Sequence, residues 1–159
     1  MKDKELIKLV EKELKTLCSL LDVDCERRLE LEEGEEEVKY IKVYFEGEDL
    51  GYMIGAHGRH LDSLQYVLQL MTGKMTGQDP TYRVLVDVGG YREERNTKLE
   101  DLALQKADDV RILGEAIELP PMKSSDRRAV HVALSQFDDI ETESEGEGRD
   151  RYVVIRPVK

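Results

Sequence analysis

Two short stretches of this 159-residue chain hold residue types and spacings that could do chemistry. In Gly55-Ala56-His57-Gly58, two glycines flank two residues directly before apolar positions at helical spacing. Glycines let a backbone approach a phosphate closely, and the amides at the start of the following helix would point at it. Such a loop could clamp a nucleic-acid strand through main chain alone; the plain alternative is a tight turn between two helices. In Ser124-Ser125-Asp126-Arg127-Arg128-Ala129-Val130-His131, Arg127 and His131 stand four apart and share one side of a helix. A fixed guanidinium suits phosphate oxygens or a stacked base, and the imidazole adds a second polar donor. The plain alternative is a rim arginine paired with Asp126 or a sheet carbonyl, with His131 satisfied in the core.

Other chemistry is poorly represented. His57, His60 and His131 could act as metal ligands or bases, and the spacing of His57 and His60 is compatible with ligation. No carboxylate motif and no activated serine or cysteine accompanies them, so we expect no enzyme, no catalytic residues, no metal site and no cofactor. The loop lacks the Gly-Lys-Ser/Thr end of a phosphate-binding P-loop, and the GxGxxG dinucleotide fingerprint is absent. Cys18 and Cys25 match neither a CxxC pair nor a zinc spacing, which suggests free thiols in a reducing, cytoplasmic setting. The chain opens on alternating charges, Met1-Lys2-Asp3-Lys4-Glu5, and contains no apolar run of the roughly 20 residues a membrane helix needs. No signal peptide or membrane segment is therefore expected.

A formal net charge of -11 argues against binding nucleic acid by bulk positive charge. Any such binding must be local. The run Glu32-Glu33-Gly34-Glu35-Glu36-Glu37 lies between two apolar stretches and reads as a solvated hairpin tip.

The elements that must position these motifs follow from apolar periodicity. Leu6, Val10, Leu14, Leu17 and Leu21 predict an amphipathic opening helix. Strand-like alternation over 25–31 and 38–45 predicts a hairpin joined at Gly34, with Ile41, Val43 and Phe45 on one face. Asp49 is expected to cap a short helical turn carrying Leu50, Met53 and Ile54. Leu61, Leu64, Leu68 and Met71 then mark a second helix, and Tyr82, Val84, Val86 and Val88 a third strand. Gly89-Gly90 marks a domain boundary, giving domains 1–90 and 91–159. Beyond it, Leu99, Leu102, Ala103, Ala107 and Val110 predict a long helix over 91–113 closed by Gly114. Pro120-Pro121 breaks the chain, Ser124 or Ser125 is expected to cap a helix through Phe137, and residues 142–144 and 152–155 read as strands around a glycine turn. On that helix Val130, Ala133, Leu134 and Phe137 form the buried stripe. Arg127 and His131 fall on its flank, where a neighbouring strand can hold them.

The glycine tetrad, set in a helix, strand, strand, helix, helix, strand order, resembles the type II K-homology (KH) fold, whose GXXG loop clamps about four nucleotides of single-stranded RNA. The later segments Leu119-Pro120-Pro121-Met122, Asp126 to His131, Glu141 to Gly148 and Arg151 to Pro157 resemble the single-stranded nucleic-acid-binding domain named after its Arg-x-x-x-His motif. Together with Gly51-Tyr52-Met53-Ile54-Gly55 and Leu61-Asp62-Ser63-Leu64-Gln65-Tyr66, the chain resembles the Jag family of bacteria over nearly its whole length. The resemblance implies an α+β architecture: a type II KH domain (α-β-β-α-α-β) followed by a small α/β Arg-x-x-x-His domain. It implies a single-stranded RNA-binding regulator linked to cell elongation and division, with a small single-KH protein or a second copy as partner.

Carried over residue by residue, the resemblance gives Gly55, Ala56, His57 and Gly58 as the clamp, supported by Arg59 and His60. In the second domain it gives Arg127 and His131, with Arg128, Arg149 and Arg151 as phosphate neighbours by position and charge. Ala56-His57 departs from the Lys or Arg common at that place, so modest affinity, tightening as histidines protonate near about pH 6, is expected. Family members usually begin with a further small domain, whereas this sequence enters the KH helix within a few residues of Met1; functions of that domain are not carried over. The competing expectation is a protein-interaction scaffold that dimerises through its KH surface, in keeping with the acidic charge and the uncharged Ala56.

Overall fold

The computed structural model describes residues 3–158; Met1, Lys2 and Lys159 lie outside the described residues. The chain divides into two compact units, the first ending at Arg92 and the second beginning at Glu93.

In the first unit, α1 (Asp3–Leu20) buries Leu6, Val10, Leu14 and Cys18, a stripe at intervals of four. Leu21, expected on that stripe, lies past the helix end and is exposed, because the turn through Asp22 rotates it away from the core. Strands β1 (Glu26–Glu33) and β2 (Lys39–Glu46) pair antiparallel, with Leu29 opposite Val43 and Leu31 opposite Ile41. The hairpin closes where the Gly34 N–H donates to the Val38 carbonyl at 2.7 Å, leaving Glu35, Glu36 and Glu37 in solvent. β3 (Tyr82–Val88) runs parallel to β2 and gives the sheet order β1-β2-β3. Ile41, Val43, Phe45, Val84, Val86 and Val88 form its buried face against α1 and α3 (Arg59–Thr76).

Between β2 and α3 lies the single turn α2 (Gly51–Ile54). Its N-cap is Leu50 and no side chain caps it, which corrects the expectation for Asp49. Asp49 instead takes a positive φ of 56°, a conformation its short polar side chain tolerates, and turns the chain into the helix.

The outer edge of β3 is closed by side chains. Gln69 donates to the Tyr82 carbonyl and accepts from the Val84 N–H, so its amide imitates a neighbouring strand. Gln65 accepts from the Val86 N–H, and Arg92 Nε donates to the Val86 carbonyl at 2.7 Å. The Arg92 guanidinium also reaches Asp62 and Gln65 on α3. Asp87 accepts the N–H groups of Gly90 and Arg92 and so caps the start of α4 (Tyr91–Leu113), whose first two residues belong to the first unit. Gly89 and Gly90 both need positive φ in this turn.

The second unit is built on the rest of α4, which buries Leu99, Ala103, Ala107 and Val110 and stops at Gly114, in the left-handed conformation with its N–H on the Val110 carbonyl. Then follow β4 (Ile117–Glu118), α5 (Ser124–Leu134), β5 (Ile140–Glu145) and β6 (Tyr152–Pro157). The antiparallel sheet has the order β4-β6-β5, with Val153 and Ile155 of the central strand buried. Two helix-end expectations are corrected. Lys123, not a serine, is the N-cap of α5, no side chain caps it, and the helix ends at Leu134. The Phe137 N–H returns to the Leu134 carbonyl, so this residue packs on the core from a turn rather than from the helix. Among the described residues, no helix is long and apolar enough to cross a membrane.

Candidate nucleic-acid interface

The Gly55-Ala56-His57-Gly58 loop sits between α2 and α3, and its conformation is one that ordinary side chains resist. Gly55, His57 and Gly58 all have positive φ, at 68°, 55° and 81°. Residues 56–58 form a 3-10 turn leading into α3, whose N-cap is Gly58. The Arg59 N–H bonds the Ala56 carbonyl, and no side chain caps this helix start, which leaves first-turn amides for an outside acceptor. Ala56, His57 and Arg59 are exposed, and the side chains of His57 and Arg59 make no hydrogen bond or ion pair with another described residue.

His60 behaves differently from its neighbours. Its Nδ1 lies 2.7 Å from the Tyr52 carbonyl oxygen, and because a carbonyl only accepts, this nitrogen carries the proton. The ring lies against Gly55: a Cβ there would meet His60 Cγ at 2.5 Å. Glycine is therefore required at 55 both by φ and by space.

In the second unit, α5 brings Arg127 and His131 to one side, as their spacing requires. Arg127 Nη1 donates to the Met122 carbonyl at 2.8 Å, and the Met122 N–H donates to the Arg151 carbonyl at 3.0 Å. The loop before α5 is thus held between the helix and β6. Arg127 Nε is buried and meets no acceptor among the described residues. Such an orphaned donor costs on the order of 1–3 kcal/mol. Asp126, 4% exposed, pairs with Arg95 of α4 rather than with Arg127.

His131 is held by β5 on both nitrogens, Nδ1 by Thr142 Oγ1 at 2.7 Å and Nε2 by Ser144 Oγ at 2.9 Å. Sequence reasoning does not single out these two hydroxyls, although residues two apart on a strand share a face and can be read as a pair. Burial, and then the adjacent Arg127 charge, push the His131 pKa below its ordinary value. The folded state therefore disfavours the imidazolium. Stability from this group is present above the ordinary imidazole range and falls away with acidification through the lowered folded pKa. We expect chemical denaturation of the second unit to show falling stability as pH drops below about 6.5, by at most about 1.4 kcal/mol per pH unit, a dependence that His131→Gln removes.

The remaining sequence-predicted residues are peripheral. Arg128, Arg149 and Arg151 are exposed. Arg128 and Arg149 have no hydrogen-bond or ion-pair partner among the described residues, while Arg151 Nη2 lies a long 3.5 Å from the Ser144 carbonyl. Gly146 sets the turn that carries Arg149 and Arg151, since a Cβ there would meet the Asp150 carbonyl at 2.9 Å. No group of three or more His, Cys, Asp or Glu side chains suited to a metal ion occurs among the described residues.

A helix, strand, strand, helix, helix, strand unit with a GXXG loop, followed by an α/β unit that sets Arg127 and His131 against a sheet, is a type II KH domain joined to an R-three-H (Arg-x-x-x-His) domain. Comparison with known proteins agrees. The KhpA/KhpB KH-domain family matches residues 8–86, and the R-three-H domain family matches residues 97–157. The chain is similar to the RNA-binding protein KhpB of Clostridium symbiosum, at 37% identity over 77% of this chain and 54% of the relative. It is similar to that of Bacillus subtilis at 36% identity over 76% of this chain and 58% of the relative, and to that of Lactiplantibacillus plantarum at 32% over 74% and 36%. The chain spans about half the length of the first two relatives. It belongs to the Jag family of proteins, which join a KH domain to an R-three-H domain.

Proposed function

We propose that the chain binds single-stranded RNA through two local sites, the Gly55–Gly58 loop with Arg59 and the Arg127 centre with Arg128, Arg149 and Arg151. The observation that carries this reading is the loop itself: three positive-φ residues within four, with Ala56 and His57 exposed at its tip, leading into a helix start that no side chain caps. Relatives with both domains bear the name RNA-binding protein. On a chain of net charge -11, binding is local and salt-sensitive, each site weak and the pair together stronger. The resemblance to the Jag family extends the proposal to post-transcriptional regulation in the cytoplasm, linked to cell elongation and division.

The experiment is a salt titration of affinity for a short single-stranded RNA. Arg127→Ala weakens binding and lowers the slope of log affinity against log salt by about one unit if this guanidinium neutralises a phosphate. An unchanged slope returns Arg127 to a structural role.

A second reading, a KH unit that pairs with a second copy or with a small single-KH protein, is favoured by one observation. Tyr66, Val67 and Leu70 form an exposed apolar stripe on α3, 65%, 41% and 52% accessible. If pairing is the whole function, the Arg127 substitution leaves self-association intact and no RNA is retained by the wild-type chain.

A further inference from the structure

The bond that fixes His60 also fixes what its free nitrogen can do. Nδ1 must carry the proton, because its partner, the Tyr52 oxygen at 2.7 Å, has no hydrogen to give. In the neutral ring Nε2 is then a lone-pair acceptor, and it has no hydrogen-bond partner among the described residues. His60 is exposed, and its ring touches the first glycine of the clamp, with Cγ, Nδ1 and Cδ2 all within 2.9 Å of where a Cβ on Gly55 would stand. The imidazole can neither turn over nor swing away without losing the Tyr52 bond and its seat against Gly55.

An acceptor in that place has a definite preference. Phosphate oxygens are also acceptors, so neutral Nε2 gives nothing to the backbone that the amides would hold. A ribose 2′-hydroxyl can donate to it, and deoxyribose has no such group. We propose that His60 is a specificity-determining residue through which the KH loop selects ribose over deoxyribose, its Nε2 accepting a 2′-hydroxyl hydrogen bond from a nucleotide in the clamp. This rests on the clamp reading of the Gly55–Gly58 loop.

The test compares affinities of the full chain for an RNA and a DNA of the same base order at pH 8, by fluorescence anisotropy. Three variants accompany the wild type. His60→Phe keeps a ring against Gly55 but has no acceptor. His60→Asn keeps an amide N–H for the Tyr52 carbonyl and an oxygen acceptor. Ala56→Asp with His57→Asp disables the clamp. The expected result is a wild-type preference for RNA that His60→Phe reduces between about 2- and 10-fold, the worth of one neutral hydrogen bond, and that His60→Asn partly restores. A merely structural role moves RNA and DNA affinity together and leaves the ratio unchanged. Loss of binding in the clamp variant with an unchanged ratio in His60→Phe overturns the assignment to His60 alone. A clamp variant that binds as well as wild type overturns the clamp reading and this proposal with it.

Discussion

Replacing Ala56 and His57 together by aspartate is expected to lower affinity for short single-stranded RNA at least about tenfold while leaving the fold in place. Like charges brought together at an interface cost several kcal/mol when desolvated and less at a wet surface, so about tenfold is a lower bound. The substitution is mild for the protein itself. Both positions are exposed, and aspartate is among the residues that accept the positive φ of 55° at position 57. Acidic side chains also favour a helix start, and these two lie just before Gly58, the N-cap of α3. Thermal denaturation should therefore agree with wild type within the roughly 0.5 kcal/mol typical of surface changes. Gel-shift titration of both proteins checks the outcome, and equal binding would remove the loop from the interface.

The largest effect on stability is expected at Asp126, which no functional reading singles out. Its carboxylate is buried on the first turn of α5, and one oxygen takes both Arg95 Nη2 at 2.8 Å and Arg95 Nε at 3.2 Å. The pair ties α5 to α4 across the core of the second unit. Asp126→Ala leaves the half-buried guanidinium without its counter-charge, a change that costs about 3–5 kcal/mol in comparable sites. For a unit of this size that corresponds to a fall in thermal midpoint of more than about 10 °C. Calorimetry of the full chain should show the transition of the second unit moving and that of the first unit staying. Joint replacement, Asp126→Leu with Arg95→Met, is expected to recover most of the loss, because an apolar pair of similar volume needs no desolvated charge. Failure of that rescue would show that Arg95 and Asp126 serve something other than each other.

Both effects bear on what can be read from the amino acids alone. The strands of the first unit are legible because alternation of Ile41, Val43 and Phe45 with Tyr40, Lys42 and Tyr44 has one period and one interpretation. The stripe of α1 and the glycine stop of α4 at Gly114 are legible for the same local reason. Helix starts are not. Asp49, Ser124 and Ser125 are preferred capping types, yet Leu50 and Lys123 hold the cap positions, since the path of the chain into the helix is set by packing further along. The two-residue strand β4 escapes notice because its pairing to β6 is a tertiary fact with almost no local pattern. At the candidate sites, the side of the helix shared by Arg127 and His131 follows from spacing, but their partners do not. Proximity in sequence offers Asp126 as a mate for Arg127, whereas the Arg95 side chain, 31 residues away, reaches it in space. The hydroxyls of Thr142 and Ser144 and the Tyr52 carbonyl under His60 likewise belong to elements whose approach no periodicity encodes.

The closed edge of β3 bears on how copies of this protein can meet. A sheet with two open edges can add a strand on either side, and successive additions run on without end, as in a filament. Here Gln65, Gln69 and Arg92 already occupy the Tyr82 carbonyl, the Val84 N–H and both the N–H and the carbonyl of Val86. The outer side of β1 has no such cover among the described residues, and its acidic flanks discourage a like neighbour. Edge-to-edge association between first units can therefore proceed by one step only, β1 to β1, and must then terminate, because neither first unit has a second open edge to offer. Three polar side chains thus set an upper limit of two on a process that is otherwise open-ended.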